Sequence, residues 1–137
     1  MFENVNFVAV FFCGVASMII GSLWYSKALF GNAWMQLSGI SEKDIEAGKK
    51  EMPKTYGLMF VASLVMACVL AIFANYAGVA DMRSGAVLGF WAWLGFVATV
   101  TFTGVLFERK PMNLYFIQAG YQLVTLVVMG AIIGFLG

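Results

Sequence analysis

The chain of 137 residues carries 62% hydrophobic and 11% charged side chains, no histidine and a formal net charge of +1. That composition lies outside the range of a soluble globular domain, and the small charge, with no Lys/Arg cluster on a helical face, excludes a nucleic-acid footprint. The two cysteines, Cys13 and Cys68, both fall in apolar runs and do not form a disulfide framework.

Four uncharged, mostly apolar runs fill most of the chain, at 4–26, 55–80, 84–107 and 111–137, and confine Lys, Arg, Asp and Glu to the N-terminus and the stretches between runs. A hydrocarbon core of ~30 Å takes about 20 helical residues to cross, so every run is long enough. The expected fold is all-α: a single domain over residues 1–137, an integral membrane bundle of four transmembrane helices at about 5–25, 56–77, 84–107 and 113–136. The first run follows Glu3 rather than a basic region, and it exceeds the ~7 to 15 apolar residues of a secretory signal. It is expected to remain as a helix. Val10, Phe11 and Phe12 are too bulky for a lipoprotein cleavage site before Cys13.

The inner connection, 27–54, is the only stretch with soluble character. Leu29, Phe30, Ala33, Trp34 and Leu37 form a stripe that would lay a short helix along the membrane surface. After Gly39, Ser41 is placed to cap a second short helix from Glu42 to about Ala47, ended by Gly48 and followed by Pro53. Trp24, Tyr25, Phe30 and Trp34 gather at the end of the first run, the depth at which Trp and Tyr sit in a headgroup belt. Trp91 and Trp93 lie inside the third run, where an indole N–H needs a partner.

Polar groups inside the runs are few, and none is charged. On the third and fourth helices, Thr103 and Thr99 lie four and eight residues from Phe107, and Gln118 and Gln122 lie five and nine from Asn113. Matched depth and i, i+4 spacing pair Gln118 with Thr103 and Gln122 with Thr99 across an antiparallel hairpin. With Tyr121 these four form a candidate polar cluster, read first as packing glue and second as a solute pocket. A candidate inner-interface corner comprises Trp24, Tyr25, Ser26, Trp34 and Glu108. Ser17 with Gly21, Gly85 with Gly89, and Gly130 with Gly134 are small-xxx-small pairs, which mark faces where helices approach closely; the last two pairs are expected to meet.

Catalysis finds no support, since there is no His, no dithiol, no phosphate loop and no metal-ligand spacing. No catalytic, cofactor or metal residues are assigned. Proton-coupled transport is also disfavoured, because no span holds an Asp, Glu, Lys or Arg.

Gly21-Ser22-Leu23-Trp24-Tyr25-Ser26, Phe30-Gly31, Trp34-Met35, Leu106-Phe107-Glu108, Ala119-Gly120-Tyr121-Gln122-Leu123 and Met129-Gly130 resemble the small membrane proteins grouped as domain of unknown function 1761, from end to end of the chain. The resemblance implies four membrane helices and assigns no activity. The expected function is therefore that of a non-enzymatic homo-oligomer in a bacterial inner membrane, self-associating through its glycine faces, with membrane lipids as partners, no nucleic acid and no identified small-molecule ligand. The alternatives are a small-solute channel or carrier not coupled to protons, and a lipid-binding or accessory subunit of a membrane complex.

Lys27, Lys43, Lys49, Lys50, Lys54, Arg109 and Lys110 fall on one side of the four runs, and Arg83 alone on the other. Loops rich in Lys and Arg stay in the cytoplasm, so both termini should face outward. A membrane-impermeant thiol reagent applied to intact cells should then label a cysteine at Asp81 and spare one at Lys49, on a background free of Cys13 and Cys68. The converse labelling reverses the orientation.

Overall fold

The computed structural model describes residues 4–26 and 28–137; Glu3 and Lys27, which enter the charge pattern above, lie outside them. Among the described residues the chain is helical with no strand. Helix α1 is Phe7–Trp24. Asn6 starts it by accepting from the amides of Val8 (3.0 Å) and Ala9 (3.3 Å), two donors that a first helical turn leaves open. The same side chain donates to the Leu136 carbonyl at 3.2 Å, which ties the first helix to the end of the last.

The connection folds as expected into two short helices, α2 (Gly31–Ser38) and α3 (Glu42–Ala47). Gly39 closes α2 at φ 70°, a left-handed conformation that glycine adopts without penalty. Ser41 accepts from the Asp44 amide (3.2 Å) while the Asp44 carboxylate accepts from the Ser41 amide (3.0 Å), which holds that carboxyl below its usual range. A 3-10 turn, Lys49–Glu51, runs into α4 (Met52–Ala77). That helix begins four residues before the expected position 56, because Pro53 lies in its first turn, where a missing N–H costs nothing.

Asp81 starts α5 (Met82–Ala92) by accepting from the Ser84 amide (2.8 Å) and hydroxyl (2.7 Å). A π-helical segment, Trp93–Ala98, joins it to α6 (Thr99–Phe107), and α7 (Met112–Leu136) follows Pro111. Four helices are long and apolar enough to cross a membrane: α1, α4 with the turn before it, the continuous α5–π–α6 helix, and α7. Large apolar side chains cover their outer surfaces; Phe96 is 69%, Phe135 70% and Phe107 84% exposed. A molecule in water would bury such residues.

Helix α7 is the centre of the bundle. Of its most apolar window 39% is buried, against 6% for the α5–π–α6 helix. Cys13 of α1, Ala67 and Leu70 of α4, and Leu126 and Met129 of α7 form the core between them. Against α5, α7 presents backbone rather than side chains. A Cβ on Gly85 would overlap the Gly130 carbonyl, one on Gly89 the Leu126 carbonyl, one on Gly130 the Gly85 carbonyl, and one on Gly134 the Asp81 carbonyl. The two small-xxx-small pairs do meet. Their use corrects one expectation, because faces filled within the chain are not open for self-association. Ser17 and Gly21 are taken up in the same way, facing Tyr121 of α7.

The π segment resets the register of the third helix. Counting from Gly85 and Gly89 at α-helical spacing, positions 92, 96, 99 and 103 would face α7. One extra residue per turn moves that face on by one. Trp93, Val97, Ala98, Thr101, Phe102, Gly104 and Val105 are the ones partly or wholly buried from the π segment onward, and Phe96, Thr99 and Thr103 are exposed.

Adding a methyl group separates the glycines by role. Gly89→Ala should cost about 1 to 3 kcal/mol of stability in detergent, since the Leu126 carbonyl must move. Gly95→Ala, where nothing lies within 4 Å, should leave stability unchanged or raise it by up to ~1 kcal/mol through helix propensity. Thermal or denaturant unfolding of the two variants against the parent is the measurement.

Candidate functional site

At the C-terminal end of α1 the chain turns back on itself around its own aromatic rings. The Phe30 amide donates to the Trp24 carbonyl (3.0 Å) and the Gly31 amide to the Ser26 carbonyl (2.8 Å), while the Ser26 hydroxyl donates to the Leu23 carbonyl (2.7 Å). A side chain at position 31 would strike the carbonyls of Tyr25 and Ser26, so the turn demands glycine there. Ring centroids lie 4.8 Å apart for Trp24 and Phe30, 5.7 Å for Tyr25 and Trp34, and 5.5 Å for Tyr25 and Tyr121. These are separations at which aromatic pairs attract.

The corner closes onto α7. Trp24 packs over Gly120, where a Cβ would sit 3.0 Å from its ring, and its indole N–H donates to the Ile117 carbonyl at 2.9 Å. Trp24, Tyr25, Ser26 and Trp34 of the expected corner thus lie together and are joined by Tyr121, expected in the polar cluster, while Glu108 lies apart. That residue lies on the exposed turn after α6 and pairs with Lys110 at 3.0 Å, a solvent-screened contact worth ~0 to 1 kcal/mol. Arg109 in this turn adopts φ 55°.

The polar cluster is not assembled as expected. Thr99 donates to the Gly95 carbonyl (2.8 Å) and Thr103 to the Val100 carbonyl (2.6 Å), both within their own helix, and both side chains are exposed. Among the described residues neither hydroxyl bonds Gln118 or Gln122. The π segment is the reason, since its extra residue turns Thr99 and Thr103 off the α7 side. Gln118 instead lines a cavity of about 30 Å³ with Thr101, Val105, Lys110 and Tyr115, room for about one water. Tyr115 donates to the Ala98 carbonyl at 2.8 Å, at the last residue of the π segment. Gln122 is half-buried on α7.

Tyr121 belongs to a different group, at the junction of α1, α4 and α7. Its hydroxyl donates to the Ser17 carbonyl (3.2 Å) and lies 3.3 Å from the Ser17 hydroxyl, which in turn bonds the Ser63 hydroxyl at 3.0 Å. Bonds of this kind between helices average ~0.6 kcal/mol and reach about 2. Sequence reasoning missed Ser63, although a signal existed. Ser17 lies seven residues from Trp24, Ser63 eight from Thr55 and Tyr121 eight from Asn113, a common depth of ~11 to 12 Å. Four residues further along α7, the Thr125 hydroxyl is fully buried with no hydrogen-bond partner among the described residues. Trp93 finds its partner across the hairpin, donating to the Ala119 carbonyl at 2.8 Å.

No three His, Cys, Asp or Glu side chains among the described residues are grouped to hold a metal ion. What the fold and these contacts define is an all-helical protein of four membrane-length helices, braced at one end by an aromatic corner. The chain belongs to the family described as Protein of unknown function (DUF1761), whose model matches residues 8–134. No curated protein and no solved structure matches it.

Cysteine pairs test the reset register, again without Cys13 and Cys68. Thr101→Cys with Gln118→Cys should cross-link under mild oxidation or with a short bifunctional reagent. Thr103→Cys with Gln118→Cys should not; efficient linkage of that second pair alone would restore the uninterrupted helix.

Proposed function

We propose that the chain is an integral protein of a bacterial inner membrane, with both termini outside, that acts without catalysis as a homo-oligomer whose copies meet along the outward face of the third helix. Four membrane-length helices covered with exposed apolar side chains support the membrane reading, and the bias of basic residues supports the orientation. The observation that carries the oligomer is that outward face. Gly95, Thr99 and Thr103 are exposed there at i, i+4, i+8, and nothing lies within 4 Å of a Cβ built on Gly95. Small residues at this spacing let two such helices approach closely about a two-fold axis, with the same patch on both copies. The glycine faces first expected to serve are filled by α5 and α7 themselves.

A second reading, passage of a small neutral solute without proton coupling, draws on the polar cavity at Gln118. Within one copy the residues first assigned to such a path do not line one space, because Tyr121 faces α1 while Thr99 and Thr103 face outward. The third, lipid capture by the inner connection, is weakened by its charge. Residues 27–54 hold five lysines but also Glu42, Asp44, Glu46 and Glu51.

Single cysteines in native membranes decide the interface, on the cysteine-free background. Thr99→Cys should yield a disulfide-linked dimer, and Phe116→Cys, exposed on α7, should not. Gly95→Leu should cut the Thr99→Cys product by about tenfold, a loss equivalent to one close helix contact. Dimer from Phe116→Cys with none from Thr99→Cys would move the interface elsewhere.

A further inference from the structure

On the side of the molecule that holds both chain ends, an apolar groove of about 490 Å³ lies between α1 and α7. Phe12, Ala16 and Ile19 form one wall, Val128, Ala131 and Phe135 the other, and Met82 at the start of α5 closes the outer end. Along α7 the lining runs ~12 Å from Val128 to Leu136, and along α1 it reaches Ile19, ~18 Å from Phe7, so most of the groove lies in the half of a ~30 Å hydrocarbon core that holds the chain ends.

Arg83 follows Met82, which lines this groove, by one helical step and is exposed. It is the one basic residue on that side of the four runs. The neighbouring Asp81 carboxylate is turned onto the Ser84 amide and hydroxyl, which, with the Arg83 charge, hold it ionised below the usual carboxylate range. A guanidinium at headgroup depth beside an apolar groove mostly within one leaflet matches a phosphate joined to an acyl chain, since the planar fork bonds phosphate oxygens in pairs. A second groove of about 370 Å³, between α4 and the third helix, is equally apolar, and no basic residue stands beside any residue that lines it.

We propose that the groove between α1 and α7 is a binding site for one glycerophospholipid of the leaflet on the termini's side, an acyl chain lying along Ala16 and Ala131 and the phosphate bound by Arg83. The proposal rests on the membrane reading above and on neither the orientation nor the oligomer.

Native mass spectrometry of the full chain, released from nanodiscs of phosphatidylethanolamine and phosphatidylglycerol, tests it. Recovery of the chain from detergent-extracted membranes checks the membrane reading separately. The parent should retain one phospholipid per copy. Ala131→Trp and, on the opposite wall, Ala16→Trp should each lose it, and Arg83→Ala should retain it about tenfold more weakly, the loss expected of a charge-assisted bond. Val69→Trp, which fills the second groove, should retain it like the parent, and circular dichroism confirms that the variants are folded. The proposal falls if both groove-filling variants, folded, keep the lipid, if Arg83→Ala binds as the parent does, or if Val69→Trp loses as much. It also falls if Ala131→Trp converts a dimer to a monomer with no lipid bound to either, which would make the occupant a second copy.

Discussion

Between α5 and α7 four glycines remove every Cβ from the contact, and two helix backbones meet directly. Apolar side chains gain little by leaving lipid for one another, so close packing must supply what the hydrophobic effect supplies in water. Everything else hangs from that seam. With α5 held against the C-terminal half of α7, Asp81 lies over Gly134, and Asn6 reaches Leu136 at the same end. The other faces of α7 remain for α1 and α4, whose cysteine, alanines and leucine fill the core.

Away from the seam, aromatic side chains take over the work of joining helices. Trp24 and Trp93 donate to the Ile117 and Ala119 carbonyls of α7, and Tyr115 of α7 donates back to the Ala98 carbonyl. A helical carbonyl already bonded within its helix still has a second lone pair, so these contacts leave the helices intact while satisfying indole and phenol groups that would otherwise be stranded in hydrocarbon. The π segment makes room for two of them. It begins at Trp93 and ends at Ala98, the residues that form the bridges to α7 from that helix. Local π-helical turns of this sort recur at functional positions, and here the turn sends Gly95, Thr99 and Thr103 outward. The same displacement that emptied the expected polar cluster created the small-residue face on which the proposed oligomer depends.

The residues that carry the family resemblance acquire a common physical sense. Leu23-Trp24-Tyr25-Ser26 and Phe30-Gly31 make the turn, Trp34 meets the Tyr25 ring edge to face, and Gly120-Tyr121 on α7 receive it. Segments nearly a hundred positions apart in sequence, such as Trp24 and Ile117 at a separation of 93, are one contact in space. The corner braces one end as the glycine seam braces the end that holds the chain termini.

Much of the architecture was legible in the sequence because each of its signals is local or periodic. Apolar runs set the number of long helices, and small residues four apart announced the seam of α5 and α7. Ser41 capped α3 by its own chemistry. The candidate sites were only half legible. Trp24, Tyr25 and Trp34 gather because neighbours in sequence turn tightly, whereas Ser17, Ser63 and Tyr121 meet across three helices whose relative rotation no run of residues encodes. Nor does a run of residues announce a π segment, which is a choice of hydrogen-bond register made where Trp93 and Tyr115 bridge the hairpin. By itself the sequence determined how many membrane-length helices form and roughly which residues they span; the tertiary structure alone decided which faces meet, because a one-residue change of register rotates a helix by ~100° without altering its hydrophobicity.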